Sequence, residues 1–303
     1  MSFRKMDMDV TLRNPPPTPK FVLPGLMLGA VGALVGPGAS SKTMLSLQIA
    51  VSRALGIPVA GGLFAAPPEP GETVVITAEE CYETLAIRMH AIVDALLEAG
   101  EAPPLFRETP RAEIIEQIHA RCHVYTTEGP QALQLVRDGC MTANVDDLRQ
   151  AVQGKSLVIL DSLCRTHNGN ENDATTMTQV ASVAQSLAEA ERVAVLFIHH
   201  ASRASVFQGY GDSQHASRGS SAFVDAVRWV GNLMPMSTAE AKEHAVEPFR
   251  KSFVRFDISK ANHMAPIEPM WLRRKVGGVL EVFGSDPARL PESSRVMRGR
   301  RAK

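Results

Sequence analysis

Neither sign of charge is in excess in this chain: 32 Lys and Arg stand against 32 Asp and Glu. No global field therefore draws it to nucleic acid or to a membrane surface. Any contact with nucleic acid has to come from a local patch or from several copies assembled together. The four cysteines, Cys81, Cys122, Cys140 and Cys164, include no Cys-x-x-Cys pair, so the spacing of a zinc site is missing. Scattered cysteines fit a reducing compartment. No run of about 18 apolar residues occurs, which argues against a membrane-spanning helix. The charged start MSFRKMDMDV lacks the apolar stretch of a signal peptide. No internal repeat is found. The expectation is a soluble, cytoplasmic protein with no membrane partner.

What is present is ordinary globular composition, 45% hydrophobic and 21% charged over 303 residues, enough for one large domain or two small ones. Residues 1–20 end in NPPPTPK, whose prolines favour extended geometry, and read as an arm or linker. The end of the chain, RLPESSRVMRGRRAK from Arg289, is locally basic, and 285–303 reads as a disordered tail. Between them, 21–284 is expected to form one domain. Its apolar segments MLGAVGALVG (27–36), TVVITA (73–78), RCHVYTT (121–127), SLVILDS (156–162) and VAVLFIHH (193–200) read as strands. They alternate with helical segments, TMLSLQIAVSRAL, EECYETLAIRMHAIVDALLEAG, DDLRQAVQ and TQVASVAQSLAEAER. That order predicts an α/β fold with a mostly parallel sheet and helices on both faces. FVRFDISKAN, PMWLRRK and GGVLEVF predict antiparallel strands extending one edge of the sheet.

One further absence is more pointed. The stretch GPGASSKTM, Gly36 to Met44, fits the phosphate-binding pattern G-x-x-x-x-G-K-[ST] except that Ser41 stands in place of the second glycine. Gly36, Pro37, Gly38, Ala39, Ser40, Ser41, Lys42, Thr43 and Met44 are the candidate ATP-binding residues. In such a loop backbone N–H groups wrap the phosphates at a helix N-terminus. The lysine reaches the outer phosphates and the Ser/Thr hydroxyl holds Mg²⁺. The rival reading is a glycine-rich turn ending in a surface lysine. If position 41 needs a positive φ, serine costs of order 1–2 kcal/mol there; at an ordinary φ it costs little.

Other strand ends carry polar groups where a parallel sheet binds ligands. Glu79 and Glu80, in TAEE, suit polarisation of an attacking water, or simply acids at a helix N-terminus. Asp161, closing LVILDS, suits a Mg²⁺-holding acid, or a plain strand-to-loop aspartate. His199 and His200 close FIHHAS; they suit contact with a terminal phosphate, a metal, or structural histidines. The segment 201–219, ASRASVFQGYGDSQHASRG, combines basic and aromatic groups as single-stranded nucleic acid sites do, or is a surface loop. Arg218 within it could stabilise transition-state charge on a neighbouring copy's ATP. Arg255 and Lys260 are rival fingers, and each of the three could equally be a plain surface cation.

GALVGPGASSKTMLSLQIA, VVITAEE followed by RMHA, LVILDSLCRTH, LFIHHAS, QHASRGSSAFVDAVRW and FVRFDISKAN together resemble, in order and spacing, the RepA replicative helicases of IncQ plasmids. These are RecA-like P-loop ATPases, close to the AAA_25 kind, and the resemblance covers about residues 20–284. It implies a RecA-like core, a homo-hexameric ring, ATP with Mg²⁺ between neighbours, single-stranded DNA in the central channel, and other plasmid replication proteins as partners. Carried over, Lys42 and Thr43 bind phosphate and Mg²⁺. Asp161 holds Mg²⁺, and Glu79 is the base with Glu80 beside it. His199 or His200 senses the terminal phosphate, and Arg218 acts in trans. Arg165, His167 and Arg203 face the DNA channel. Ser41 departs from the family pattern. Two other readings share these motifs: a RecA-like DNA-associated ATPase that does not unwind, and a nucleotide-binding assembly module with a degenerate loop.

Overall fold

The computed structural model describes residues 3, 5–16, 18–98, 108–127, 129, 131–200 and 222–283. A short helix, α1 (Met8–Arg13), buries no residue. A small hairpin follows, β1 (Phe21–Leu23) with β2 (Leu26–Met27). The chain then alternates strand and helix. It runs through β3 (Val31–Gly36), α2 (Lys42–Leu55), β4 (Thr73–Thr77), α3 (Tyr82–Leu97), α4 (Arg111–Arg121) and β5 (Cys122–Thr126). A second small hairpin, β6 (Val136–Arg137) and β7 (Cys140–Met141), precedes α5 (Asn144–Val152). Next come β8 (Leu157–Asp161), α6 (Ala174–Glu191), β9 (Ala194–His200), α7 (Ala222–Ala226) and β10 (Trp229–Pro235). Last come α8 (Thr238–Glu243), β11 (Phe253–Ala261), β12 (Met270–Arg274) and β13 (Leu280–Phe283).

One nine-stranded sheet has the order β13-β12-β11-β10-β3-β9-β8-β4-β5. From β10 to β5 every pairing is parallel; from β10 to β13 every pairing is antiparallel. This is the expected fold class, with helices on both faces and the antiparallel strands on one edge.

The pattern of the strands explains the burial. Successive side chains of a strand point to opposite faces, so a central strand needs apolar residues at every position. In β8, Leu157 and Ile159 join the core under α2, α3 and α4, while Val158 and Leu160 join the core under α5, α6 and α7. β9 repeats this, with Leu196 and Ile198 on the first face and Val195 and Phe197 on the second. Each such side chain contributes about 1.5–3 kcal/mol by leaving water. The antiparallel edge has a small core of its own, Met236, Ala241, Val246 and Phe253, against which Trp271 and Phe283 pack.

Three elements were not expected. β10 carries Gly231, Asn232 and Pro235, residues that usually signal a turn. Tertiary context overrides that signal. A Cβ at Gly231 would lie 2.5 Å from the Trp229 ring, and the buried Asn232 amide donates to Asp257 at 2.7 Å and Ser259 at 2.9 Å. α4 buries only Ile114 and Ile118, one narrow stripe at i,i+4. α1 lies within the stretch read as an arm, where Asp7 caps it by accepting from the Val10 N–H at 3.1 Å.

Candidate active site

Parallel pairing brings the carboxyl ends of β3, β9, β8 and β4 together. Gly36 pairs with His200, Asp161 with Ile198, and Thr77 with Asp161. The polar residues that close these strands therefore share one edge of the sheet.

The loop after β3 starts at Gly36, where a Cβ would lie 2.3 Å from the Leu233 carbonyl oxygen of β10; only glycine fits. The chain then takes left-handed backbone at Ala39 (φ 60°) and at Ser41 (φ 70°, ψ 26°). The question the sequence left open at position 41 is answered: serine occupies a conformation that costs an L-residue about 1–2 kcal/mol. Ser41 is the N-cap of α2 yet makes no side-chain capping bond, so its hydroxyl does not consume the unpaired N–H groups of the first turn. Pro37, Gly38 and Ala39 lie at the surface, Ser40 is buried, and the Met44 side chain packs into the core.

Lys42 is 5% exposed. Its ammonium donates to the carbonyls of Gly36 and Pro37, each at 2.8 Å, and lies 3.5 Å from both the Ser40 hydroxyl and Nδ1 of His200. Desolvation pulls its pKa down to about 8, with Asp161 and Glu79 acting in the opposite sense. Thr43 donates its hydroxyl to Asp161 at 2.7 Å. Asp161 is 1% exposed. Burial pushes its pKa up to about 6; the Thr43 hydrogen bond opposes this and the charge of Glu79 adds to it. A buried ammonium bonded to neutral oxygens and a buried carboxylate bonded to a hydroxyl fit an anion and a cation respectively. Their donors are hard oxygens, as Mg²⁺ requires, and Mg²⁺ takes its remaining ligands from water and phosphate. Among the described residues no three His, Cys, Asp or Glu side chains form a metal cluster, so a site built from one carboxylate and one hydroxyl is the arrangement available.

Glu79 and Glu80 are neighbours in sequence with different fates. Glu79 is half-exposed at the site. Its Oε2 lies 3.4 Å from Nε2 of His200, and its Oε1 accepts from Ser162 at 2.6 Å. The Cys164 thiol is 3.6 Å away. Hydrogen bonding to His200, then to Ser162, outweighs desolvation and holds its pKa at about 2. The His200 contact is long, so Ser162 is the firmer anchor. Glu80 is instead committed to a two-pronged ion pair with Arg88, with Nε 2.7 Å from Oε2 and Nη2 on Oε1. It is not a second free acid for water.

The adjacent histidines also separate. His199 is 1% exposed and its ring lies 6.4 Å from that of Phe223. His200 stands between Lys42 and Glu79. Of the pair, only His200 is placed at the phosphate end of the site.

The remaining expectations divide. Arg165 is exposed on the turn Leu163–Arg165, directly after β8. His167 is not presented to solvent. It is 5% exposed, its Nδ1 lies 3.1 Å from the Gly169 carbonyl, and burial lowers its pKa; a ring in that position does not reach a strand of DNA. Arg255 is within 3.6 Å of Glu240 and 3.7 Å of Asp257. Lys260 donates to the carbonyls of Val224 at 3.0 Å and Asp225 at 2.7 Å. Both rival fingers are thus engaged within their own chain. Arg203 and Arg218 lie outside the described residues.

Sequence reading missed Ser162, Cys164 and Arg88 around the two glutamates, and Arg274, which reaches the loop from β12. Only Ser162 had a signal, since it follows Asp161 at the same strand end.

The fold is found elsewhere. A solved helicase ATPase domain superposes with a TM-score of 0.55 at 14% identity, covering 84% of this chain and 85% of that one. The crystal structure of the RadB recombinase gives a TM-score of 0.49 at 13% identity, covering 85% of this chain and 92% of that one. The sheet is RecA-like, and no helix among the described residues is long and apolar enough to cross a membrane. Residues 2–206 match the family AAA_25, described as an AAA domain, and the chain belongs to that family.

Proposed function

We propose that the protein is an ATP-hydrolysing motor of the replicative DNA helicase kind, similar to the RepA helicases of IncQ plasmids and working in the cytoplasm as a ring of six copies. The observation that carries the reading is the convergence of Lys42, the Thr43–Asp161 pair, and Glu79 with Ser162 and His200 at one sheet edge. The loop backbone and Lys42 would hold the phosphates of ATP. Thr43 and Asp161 would hold Mg²⁺, which neutralises charge on those phosphates. Glu79, fixed by Ser162, would orient the attacking water. With a pKa near 2 it is a weak base, so its task is orientation first and proton acceptance late, as the water's proton becomes acidic. His200, touching both Lys42 and Glu79, would link the state of the terminal phosphate to the segment that follows β9.

The similarity to the RepA helicases supplies the rest. Arg218 of an adjacent copy completes the site, with Arg255 and Lys260 as the alternatives. Arg165, exposed beyond Asp161, and Arg203, beyond His200 in sequence, contact single-stranded DNA. Six copies concentrate these charges in a channel, which reconciles DNA binding with a net charge of zero. The ATPase domain is 21–284, with 1–20 as an arm, 285–303 as a tail, and other plasmid replication proteins as partners. The strained Ser41 favours one second reading, a nucleotide-binding assembly module without turnover.

The test is strand displacement from a forked duplex with ATP and Mg²⁺. Wild type is expected to displace the strand and Lys42→Ala is not. ATP hydrolysis without displacement would leave an ATPase that is not a helicase; absence of both would favour the assembly module.

A further inference from the structure

We propose that Arg274 is a positioning residue of the nucleotide site, holding in register a phosphate loop that has serine where glycine usually stands. This rests on the reading that the loop binds nucleotide. The guanidinium is half-buried and forks three ways. Its Nε donates to the Ser41 hydroxyl at 2.7 Å, its Nη2 to the Ala39 carbonyl at 2.7 Å, and its Nη1 to the Lys251 carbonyl. Ala39 and Ser41 are the two left-handed residues of the loop, so the fork grips the backbone at its two strained points.

The unusual serine accounts for the geometry. A capping serine normally has extended backbone and turns its hydroxyl onto the N–H groups of the helix it starts. At φ 70° Ser41 makes no such bond. Its hydroxyl goes to Arg274 instead, which leaves the N–H groups at the start of α2 for an anion. Glycine at this position would adopt the same φ without strain but would offer Arg274 no hydroxyl.

The brace is itself anchored. Arg274 pairs with Leu280 between β12 and β13. The backbone of Leu280 is held on both sides by the Gln48 amide of α2, at 2.8 Å and 2.9 Å. Helix, loop and antiparallel edge therefore close a circuit: α2 fixes β13, β13 fixes the end of β12, and Arg274 fixes the loop that leads back into α2. A lysine could not replace the arginine, because one ammonium on a flexible stem does not reproduce the planar fork.

The experiment is a four-protein cycle of wild type, Arg274→Ala, Ser41→Gly and the double variant, read by thermal unfolding without nucleotide and by KM and kcat for ATP. With serine present, Arg274→Ala is expected to raise KM about tenfold and to leave kcat within about threefold, because Glu79, Asp161 and His200 sit on other strands. With glycine at 41, the same change is expected to move KM less than about twofold and to cost about 2–4 °C less in Tm. Arg274→Lys should behave like Arg274→Ala. Equal losses in both backgrounds would overturn the proposal, since they mean that the guanidinium meets the nucleotide directly or serves the fold generally. If Arg274→Ala folds only with glycine at 41, the coupling is supported; failure to fold in both backgrounds overturns it. Wild type without turnover would count against the proposed function, and the nucleotide-free Tm cycle would still decide the role of Arg274.

Discussion

The parallel and antiparallel parts of the sheet both end at the phosphate loop, but they give it different things. The parallel part supplies the groups that can react: Lys42, Thr43, Asp161, Glu79 and His200. The antiparallel part supplies none of these. It supplies packing and one guanidinium that holds the loop. The family match ends at residue 206, before β10 to β13 begin. The reactive half is thus the half shared with the family, and the supporting half is where this chain accommodates its own departure at Ser41.

If that division holds, damage to the parallel half should abolish chemistry and damage to the antiparallel half should only weaken binding. The largest effect is expected from Lys42→Ala, which removes the one ammonium in the loop; steady-state ATP turnover should fall to background. Glu79→Gln keeps the shape and loses the carboxylate. It should lower turnover by about 10²–10⁴-fold while a fluorescent ATP analogue still binds.

Asp161→Asn should separate function from stability. The Asp161 pKa is raised to about 6 from 3.8, so between those values the folded state holds a proton that the unfolded state has lost. Stability of the nucleotide-free protein therefore falls as pH rises through that window. At neutral pH the ionised carboxylate costs the fold about 1–3 kcal/mol. The asparagine variant should unfold at a higher temperature than wild type at pH 7, lose that advantage below about pH 4, and be inactive. The smallest effect belongs to the antiparallel half, where Arg274→Ala should cost about tenfold in KM for ATP, or about 1.4 kcal/mol. Loss of all turnover in that variant would erase the distinction between the two halves.

The same comparison shows what could be read from the sequence. The parallel half was legible because each strand is a short apolar run that closes in a polar residue, and the order of those residues is dictated by chemistry. Asp161 and Lys42 are found this way. Adjacent residues were harder. His199 and His200 differ by one step along a strand, which puts them on opposite faces; which face meets the site depends on what covers the other, here Phe223. Glu79 and Glu80 were separated by an ion pair from Arg88, on the helix after them. The φ of Ser41 is a property of the folded loop that its residue type does not reveal. Arg274 lies 233 residues away in sequence from the serine it holds, with no motif to mark it. β10 was hidden by glycine, asparagine and proline that tertiary contacts turn to other uses.

The most direct measurement is steady-state ATP hydrolysis by the purified protein at low salt, with and without single-stranded DNA. Strong stimulation by DNA is the expected result, because the groups that would touch DNA leave the same strand ends, β8 and β9, that carry Asp161 and His200. No hydrolysis in either condition would contradict the account at its centre and make the strained serine loop a binding element only. Hydrolysis indifferent to DNA would contradict the motor while leaving the ATPase.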